Sequence, residues 1–471
     1  YNELLVDNVN IDLALPIFSA DSMDLQIHQM SLRAQLGQLG ACLEANIHGG
    51  LDSIFVDKIL LSYNNIQLFN GDITVYHPTQ IEQLYTQVNC QDLYCNYALL
   101  QDIIAQLTHQ PVKFPKIVAN LGHIHYRGNI KGRLENMNLI GSFSSQLGII
   151  NVNGGVQIDT TFQDINFHGY IAGNDFQLGK LINDSDFGEL SFHANMDGEL
   201  DSFQLTKCIG TANIQKLQYK GYTYDSIYFD GEMQTEEVSG LLRINDENIN
   251  LTLNGLVDWS QEDTRLNIVA RIDDFSPAAT HLTYQYPDLS INATTYVSLF
   301  TSGSTRQMLD NLTGYVIVDT LELRNADKYA SIKKMEMRID TEENNKQYYH
   351  QINIQSDFLT ASLSGAYSYS SLTQSIQQML HQYLPSLIPQ TRKRHKSSNE
   401  LSFYAYFRNL QPLCEVFDIG MDLPSVPTFK GYMHEKNNQL NLQAYIPNIN
   451  TNGAQMENLT LAIDNMNDQL S

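Results

Sequence analysis

Phe192-His193-Ala194-Asn195-Met196-Asp197 alternates apolar and polar residues, and Gly198 follows. A period of two is that of a β-strand, so Phe192, Ala194 and Met196 share one face and their polar neighbours take the other. The alternation returns at Leu266, Ile268, Ala270 and Ile272, at Met335, Met337 and Ile339, at Leu401, Phe403, Ala405 and Phe407, and at Leu440, Leu442, Ala444 and Ile446. Asn153-Gly154-Gly155, Asp197-Gly198, Asp230-Gly231, Asn254-Gly255, Asn437-Asn438 and Asn452-Gly453 offer residues that tolerate positive φ, and are expected to form hairpin turns. The pattern predicts a mostly β fold. About 15 residues per strand and turn give roughly 30 strands, which at about 4.8 Å each span on the order of 140 Å.

Helical spacing is rare. Short helices are expected at 79–87 and 101–108, and a longer one at 371–384, where Leu372, Ile376, Met379, Leu380, Tyr383 and Leu384 form one stripe before Pro385 and Pro389. Arg392-Lys393-Arg394-His395-Lys396 follows, the one basic run of an acidic chain. Helix and run read either as a device for an anionic lipid surface or as a cap on a sheet end with a solvated linker. These breaks suggest four segments: 1–122, an N-terminal β segment with short helices; 123–370, a central repeating β-groove; 371–398, helix and basic linker; 399–471, a C-terminal β repeat. Asn174-Asp175-Phe176-Gln177-Leu178-Gly179-Lys180-Leu181 and Arg408-Asn409-Leu410-Gln411-Pro412-Leu413 both break one strand before the next, as modules of a quasi-linear array do.

The 471 residues carry 28 Lys plus Arg against 52 Asp plus Glu, a formal charge of −24. Phosphate binding needs clustered cations, so nucleic acid is not expected as a partner. Only 17% of residues are charged while 78 are Asn or Gln, so amides and hydroxyls make most of the polar surface. No run reaches the roughly 18 apolar residues of a membrane span. Tyr1 opens the chain without a signal-like segment, which reads as a fragment or a trimmed mature piece.

Enzyme signatures are missing. There is no phosphate-cradling Gly loop, no Gly-x-Ser-x-Gly elbow and no His-Glu-x-x-His pair, so no catalytic residue, cofactor or metal is expected. His123 and His125 share a strand face, but no neighbouring carboxylate or thiol in the sequence completes a ligand set, and they read as satisfied or exposed histidines. Cys42, Cys90, Cys95, Cys208 and Cys414 are too scattered for a disulfide scaffold. Cys90 and Cys95 either bridge locally or stay free.

The stretch 162–323 resembles the repeating segments of TamB-like proteins of the AsmA superfamily. The likeness rests on Gly173-Asn174-Asp175-Phe176-Gln177-Leu178-Gly179-Lys180-Leu181, on Phe187-Gly188-Glu189-Leu190-Ser191-Phe192 with Gly198, and on Tyr219-Lys220-Gly221-Tyr222-Thr223-Tyr224-Asp225-Ser226-Ile227 with Gly231 and Leu251-Thr252-Leu253-Asn254-Gly255. The family's N-terminal membrane anchor and its C-terminal domain, which engages a BamA-like outer-membrane barrel, have no counterpart here. The resemblance implies an elongated, twisted, half-open β-sheet trough in the periplasm of a double-membrane bacterium, held to the inner membrane in the full-length protein. It implies passive carriage of phospholipid between the membranes and support of outer-membrane biogenesis.

A trough of that kind needs apolar side chains on one face of every strand and amides on the other. The residues expected to line it are Val156, Ile158, Phe192, Ala194, Met196, Leu251, Leu253, Leu266, Ile268, Ala270, Met335, Met337, Ile339, Leu401, Phe403, Ala405, Phe407, Leu440, Leu442 and Ala444. The competing reading of each is a packed position between two closed sheets. A second functional reading is an exported β-repeat that binds glycan or protein through exposed aromatic rows, with Tyr404 and Tyr406 or Tyr222 and Tyr224 as candidates.

Overall fold

A computed structural model describes the chain apart from residues 1–5, 20, 35–39, 64–65, 100, 102–115, 134, 160–162, 203, 260–262, 304–307, 345–346, 384–397, 421–425, 452–453 and 466–471. Among the described residues the fold is mostly β, an open antiparallel sheet of 27 strands with a few short helices. Two compact units divide it, Tyr1–Thr235 and Glu236–Ser471. No described helix is long and apolar enough to cross a membrane.

The first unit holds β1 (Val6–Phe18), β2 (Met23–Ala34), β3 (Gly40–Gly49), β4 (Ser53–Tyr63), β5 (Ile66–Tyr76), β6 (Tyr85–Asn96) and β7 (His123–Arg133). It continues with β8 (Asn136–Ser145), β9 (Gly148–Ile158), β10 (Asp164–Gln177), helix α1 (Leu178–Ile182), β11 (Phe187–Asp201), β12 (Gln204–Tyr219), β13 (Tyr222–Tyr224) and β14 (Ile227–Gln234). The second unit starts with β15 (Glu237–Asp246), β16 (Ile249–Asp258), β17 (Asp263–Phe275), β18 (Leu289–Ser302), β19 (Thr313–Asn325), β20 (Lys328–Ile332) and β21 (Met335–Asn344). It ends with β22 (Gln347–Ser356), β23 (Leu359–Ala366), α2 (Tyr369–Tyr383), β24 (Glu400–Phe407), α3 (Gln411–Val416), β25 (Thr428–His434), β26 (Gln439–Thr451) and β27 (Ala454–Asp464).

Within each unit the strands pair antiparallel in chain order, with β14 and β21 reaching back past β13 and β20 to β12 and β19, so contacts are local and the meander needs no crossover. Two strands are long enough to hold two partners in line. β12 pairs β13 at 217–219 and β14 at 207–214, and β19 pairs β20 at 321–325 and β21 at 314–318.

One device recurs three times. The inward Phe176, Phe275 and Phe407 each stand at the last or next-to-last position of a strand, and the next backbone N–H turns aside to a hairpin carbonyl. Gln177 donates to Leu147 at 2.8 Å, Ser276 to Asn248 at 2.9 Å, and Arg408 to Phe358 at 2.7 Å. In the first two copies a bulge precedes the phenylalanine, with Asp175 at φ 48° and Asp274 at φ 51°. Their amides donate to the side chains of Ser191 at 2.9 Å and Asn292 at 2.6 Å on the facing strand. A helix or turn then leads into the next strand, so β8–β14, β15–β21 and β22–β27 follow one plan.

Several expected turns lie inside strands instead. Asn153-Gly154-Gly155 falls within β9, Asp197-Gly198 within β11, Asp230-Gly231 within β14 and Asn254-Gly255 within β16. Their glycines make room rather than bends: a Cβ on Gly198 would meet the Phe167 ring at 2.3 Å, and one on Gly255 would meet Ile268 Cγ1 at 2.9 Å. Asn437-Asn438 is a turn, with Asn438 left-handed at φ 50°, and Asn452-Gly453 lies outside the described residues.

The helix expected at 79–87 is a single 3₁₀ turn, Ile81–Gln83, before β6. Val88 of β6 pairs Ile73 and Ile130 on either side, and sheet pairing overrides the local helical spacing there. The segment 102–108 and the basic run 392–396 lie outside the described residues. α2 matches the long amphipathic helix.

Candidate functional site

Strand registers place the alternating apolar residues in rows that cross neighbouring strands on one face. In the first unit one row runs Phe69, Leu93, Tyr126, Phe143, Ile150, Gly173, Phe192 and Ile214. Its neighbour runs Gly71, Cys90, Gly128, Gly141, Val152, Ile171, Ala194 and Ala212. Val156, Ile158 and Met196 stand on the same face, paired with Phe167, Ile165 and Gly169 of β10. All five lining residues expected in this unit therefore share a side.

The fifteen expected in the second unit do so as well. One row runs Leu266, Leu299, Gly314, Ile339, Ile352, Leu363, Phe403, Gly431 and Leu442. The next runs Ile268, Val297, Val316, Met337, Ile354, Ala361, Ala405, Phe429 and Ala444. Ala270 pairs Leu253, Ile272 pairs Leu251, Val318 pairs Met335, Leu359 pairs Phe407, and Leu401 pairs Met433 ahead of Leu440. No charged side chain interrupts any of these four rows.

Of the twenty, only Ala194, Ala270, Ile339, Leu401 and Ala444 are buried, and the rest are half-buried. Two sheets packed face to face would bury such residues almost completely. Here bulky side chains on the apolar face keep part of their surface open to solvent.

Helices cover parts of this face in the second unit. Met379 of α2 packs with Tyr367, Leu401 and Met433, joined by Leu363, Leu372, Phe403 and Leu440. Asp310 holds the start of α2, accepting from Ser368 Oγ at 2.7 Å and the Tyr369 amide at 2.8 Å. The buried Asn399 donates to Ser371 Oγ at 3.0 Å and Ser375 Oγ at 2.7 Å. α3 sets Val416 against Leu289, Leu323 and Ala330 of β18–β20, and Cys414 against Ile449 of β26.

Two polar side chains that enter the apolar side, His350 and Cys90, have hydrogen-bond partners there. His350 is fully buried, with Nδ1 3.1 Å from Thr341 Oγ1 and Nε2 2.8 Å from the Tyr367 carbonyl oxygen. Burial lowers its pKa below 6.5, against the opposing pull of the Tyr367 carbonyl. Cys90 donates its thiol to the Tyr126 carbonyl at 3.4 Å, and burial, then Asp92, pushes it up to about 11. The five cysteines are free, so Cys90 and Cys95 do not bridge.

His123 and His125 occupy the polar face. His123 Nδ1 lies 2.6 Å from Tyr94 Oη, and His125 Nδ1 lies 3.1 Å from both oxygens of Asp92, a partner carboxylate that sequence distance hid. Among the described residues no cluster could hold a metal ion. Of the aromatic candidates, Tyr404 and Tyr406 are exposed, while Tyr224 is buried and packs edge-on with Tyr222, so the latter pair offers no exposed row. Sequence reading missed Tyr126, Phe143, Phe167 and Ile171; each belongs to an alternating run interrupted by a glycine, Gly128, Gly141 or Gly169.

The chain matches no protein-family model, no curated protein and no solved structure.

Proposed function

We propose that the apolar face of each unit carries phospholipid acyl chains, and that the chain works as part of a bridge-like lipid-transfer and assembly module in the periplasm. The resemblance to TamB-like proteins supplies the membranes and the barrel partner of this reading. The observation that carries it is the run of uncharged apolar rows whose bulky residues stay half-exposed. Each methylene removed from water on such a surface gains about 0.8 kcal/mol, so shielding a tail requires no specific pocket. The headgroup remains in solvent, and no titrating group is asked to act.

The test is lipid capture. The full chain is incubated with vesicles of phosphatidylethanolamine and phosphatidylglycerol, re-isolated by affinity tag, and extracted for mass spectrometry. Phospholipid in at least equimolar amount supports the reading, and folded chain that returns without lipid rejects it.

A further inference from the structure

Tyr315 and Tyr404 stand on the polar face of the second unit at one register level. Tyr315 is the partner of Arg338, Arg338 of Asn353, Asn353 of Ser362, and Ser362 of Tyr404. The adjacent level runs Ile317, Glu336, Gln355, Thr360 and Tyr406. Both levels alternate with the apolar rows and so point away from them. The tyrosines are open: Tyr315 is 39% exposed, Tyr404 51% and Tyr406 42%. Tyr296 braces Tyr315 from one side, its ring 5.6 Å away and within 13° of parallel.

Beside Tyr315, over β19, β21 and β22, lies a hollow of about 610 Å³ lined by Tyr315, Ile317, Glu336, Arg338, Asn353 and Gln355 among others, and Tyr404 stands two strands beyond Asn353. Its charges are matched locally. Arg338 Nε lies 3.0 Å from Asp340 Oδ2, and Lys334 Nζ lies 2.7 Å from Glu336 Oε1. Neither an anion nor a cation finds an unmatched counter-charge in the hollow. The amides stay available: Asn353 accepts from Ser362 Oγ at 2.9 Å through Oδ1, which leaves its Nδ2 to donate, and Gln355 has no side-chain partner among the described residues.

We propose that this strip binds an extended, neutral oligosaccharide lying across the strands from Tyr315 to Tyr404. Four strand steps separate the two tyrosines, and each step of about 4.8 Å approximates the length of one pyranose ring in an extended chain. A sugar would thus sit over each strand. The C–H faces of the end rings stack on the tyrosines, whose flat amphipathic surface suits them. Hydroxyls of the middle rings meet Arg338, Asn353, Gln355 and Ser362, and planar amides pair well with vicinal hydroxyls. Lipid tails find no continuous apolar surface here, and a polyanion meets a chain of charge −24. The site lies on the opposite face from the lipid reading and stands or falls without it.

The experiment titrates the full chain by calorimetry with neutral hexasaccharides of glucose, mannose, galactose and N-acetylglucosamine in α and β linkage. Hexagalacturonic acid and an unstructured peptide serve as rival ligands. One neutral hexasaccharide is expected to bind, with affinity reduced about tenfold in Tyr315→Ala and in Tyr404→Ala and less in Gln355→Ala. Affinity should be retained in Tyr404→Trp and in Tyr329→Ala, an exposed tyrosine outside the strip. Circular dichroism checks that each variant is folded. Binding by none of the neutral sugars, stronger binding of the acidic sugar or the peptide, or full affinity in a folded Tyr315→Ala/Tyr404→Ala double variant overturns the proposal.

Discussion

The ring of Tyr126 lies against Gly141, where a Cβ would meet the ring's Cε2 at 2.8 Å. The tyrosine is 2% exposed, and its hydroxyl sits 3.2 Å from the carbonyl oxygens of both Asn129 and Ile140. A large ring on the apolar face is thus accommodated by the absence of side chains next to it. A Cβ at Gly141 would also meet the Arg127 carbonyl oxygen at 2.3 Å, which no rotamer change relieves. Gly141→Ala is expected to destabilise the first unit by about 1–3 kcal/mol, read from urea unfolding. Tyr126→Phe should cost less, about 1 kcal/mol, because the ring stays and only the hydroxyl goes.

Phe192 is half-buried on the open part of the apolar face, whereas Phe403 packs into the cluster under α2. A charge at the two positions should therefore act differently. Phe192→Asp is expected to cut lipid capture several-fold while the thermal midpoint changes little. Phe403→Asp should lower the midpoint as well, because it places a carboxylate inside a packed cluster. Paired capture and melting measurements on the two variants check this.

Asn399 ties α2 to the sheet through Ser371 and Ser375, and its own amide donates to Glu435 Oε2 at 2.9 Å. Removing its side chain takes the acceptor from the Ser368 backbone N–H, 3.0 Å from Asn399 Oδ1, and the donor from the Ser371 and Ser375 hydroxyls. Asn399→Ala is expected to cost about 1–3 kcal/mol. Hydrogen exchange should show the loss first as faster exchange along α2, before the central strands are affected.

His350 gives the stability a pH dependence with a definite sign. Its folded-state pKa is lowered from 6.5 by burial, so below pH 6.5 the unfolded chain binds more protons than the folded one. Its contribution is complete above pH 6.5 and is lost as pH falls through the lowered folded value. Urea midpoints of the parent should drop across the acid side of that limit more than those of His350→Gln, whose profile should be flatter.

The strand content was legible because Phe192, Ala194 and Met196 repeat a two-residue period that a half-buried strand imposes, and all twenty lining candidates share a face within their unit. Glycine misled the reading. Gly154, Gly198 and Gly255 carry a turn-like sequence yet sit within strands, where the facing ring, side chain or backbone, invisible in the sequence, decides their role. The helical spacing at 79–87 failed for a related reason, since the strands beside β6 lie outside any local window. Asp92 beside His125 was also out of reach of spacing, because a bulge between Cys90 and Leu93 sets the carboxylate there. The strand breaks at 174–181 and 408–413 were visible as a repeat, but the phenylalanine and the bond of the following N–H to a hairpin carbonyl, and with them the third copy at Asp273-Asp274-Phe275, became recognisable only in the structure.

Photocrosslinking from single positions probes the acyl-carrying face most directly. Benzoylphenylalanine is placed at Met196 or Met337 on the apolar face, and at Asn195 or Arg338 on the other, before irradiation with phospholipid vesicles. Lipid adducts at Met196 and Met337, with little at Asn195 and Arg338, are the expected result. Equal adducts on both faces, or none on the apolar one in a folded chain, would contradict the account.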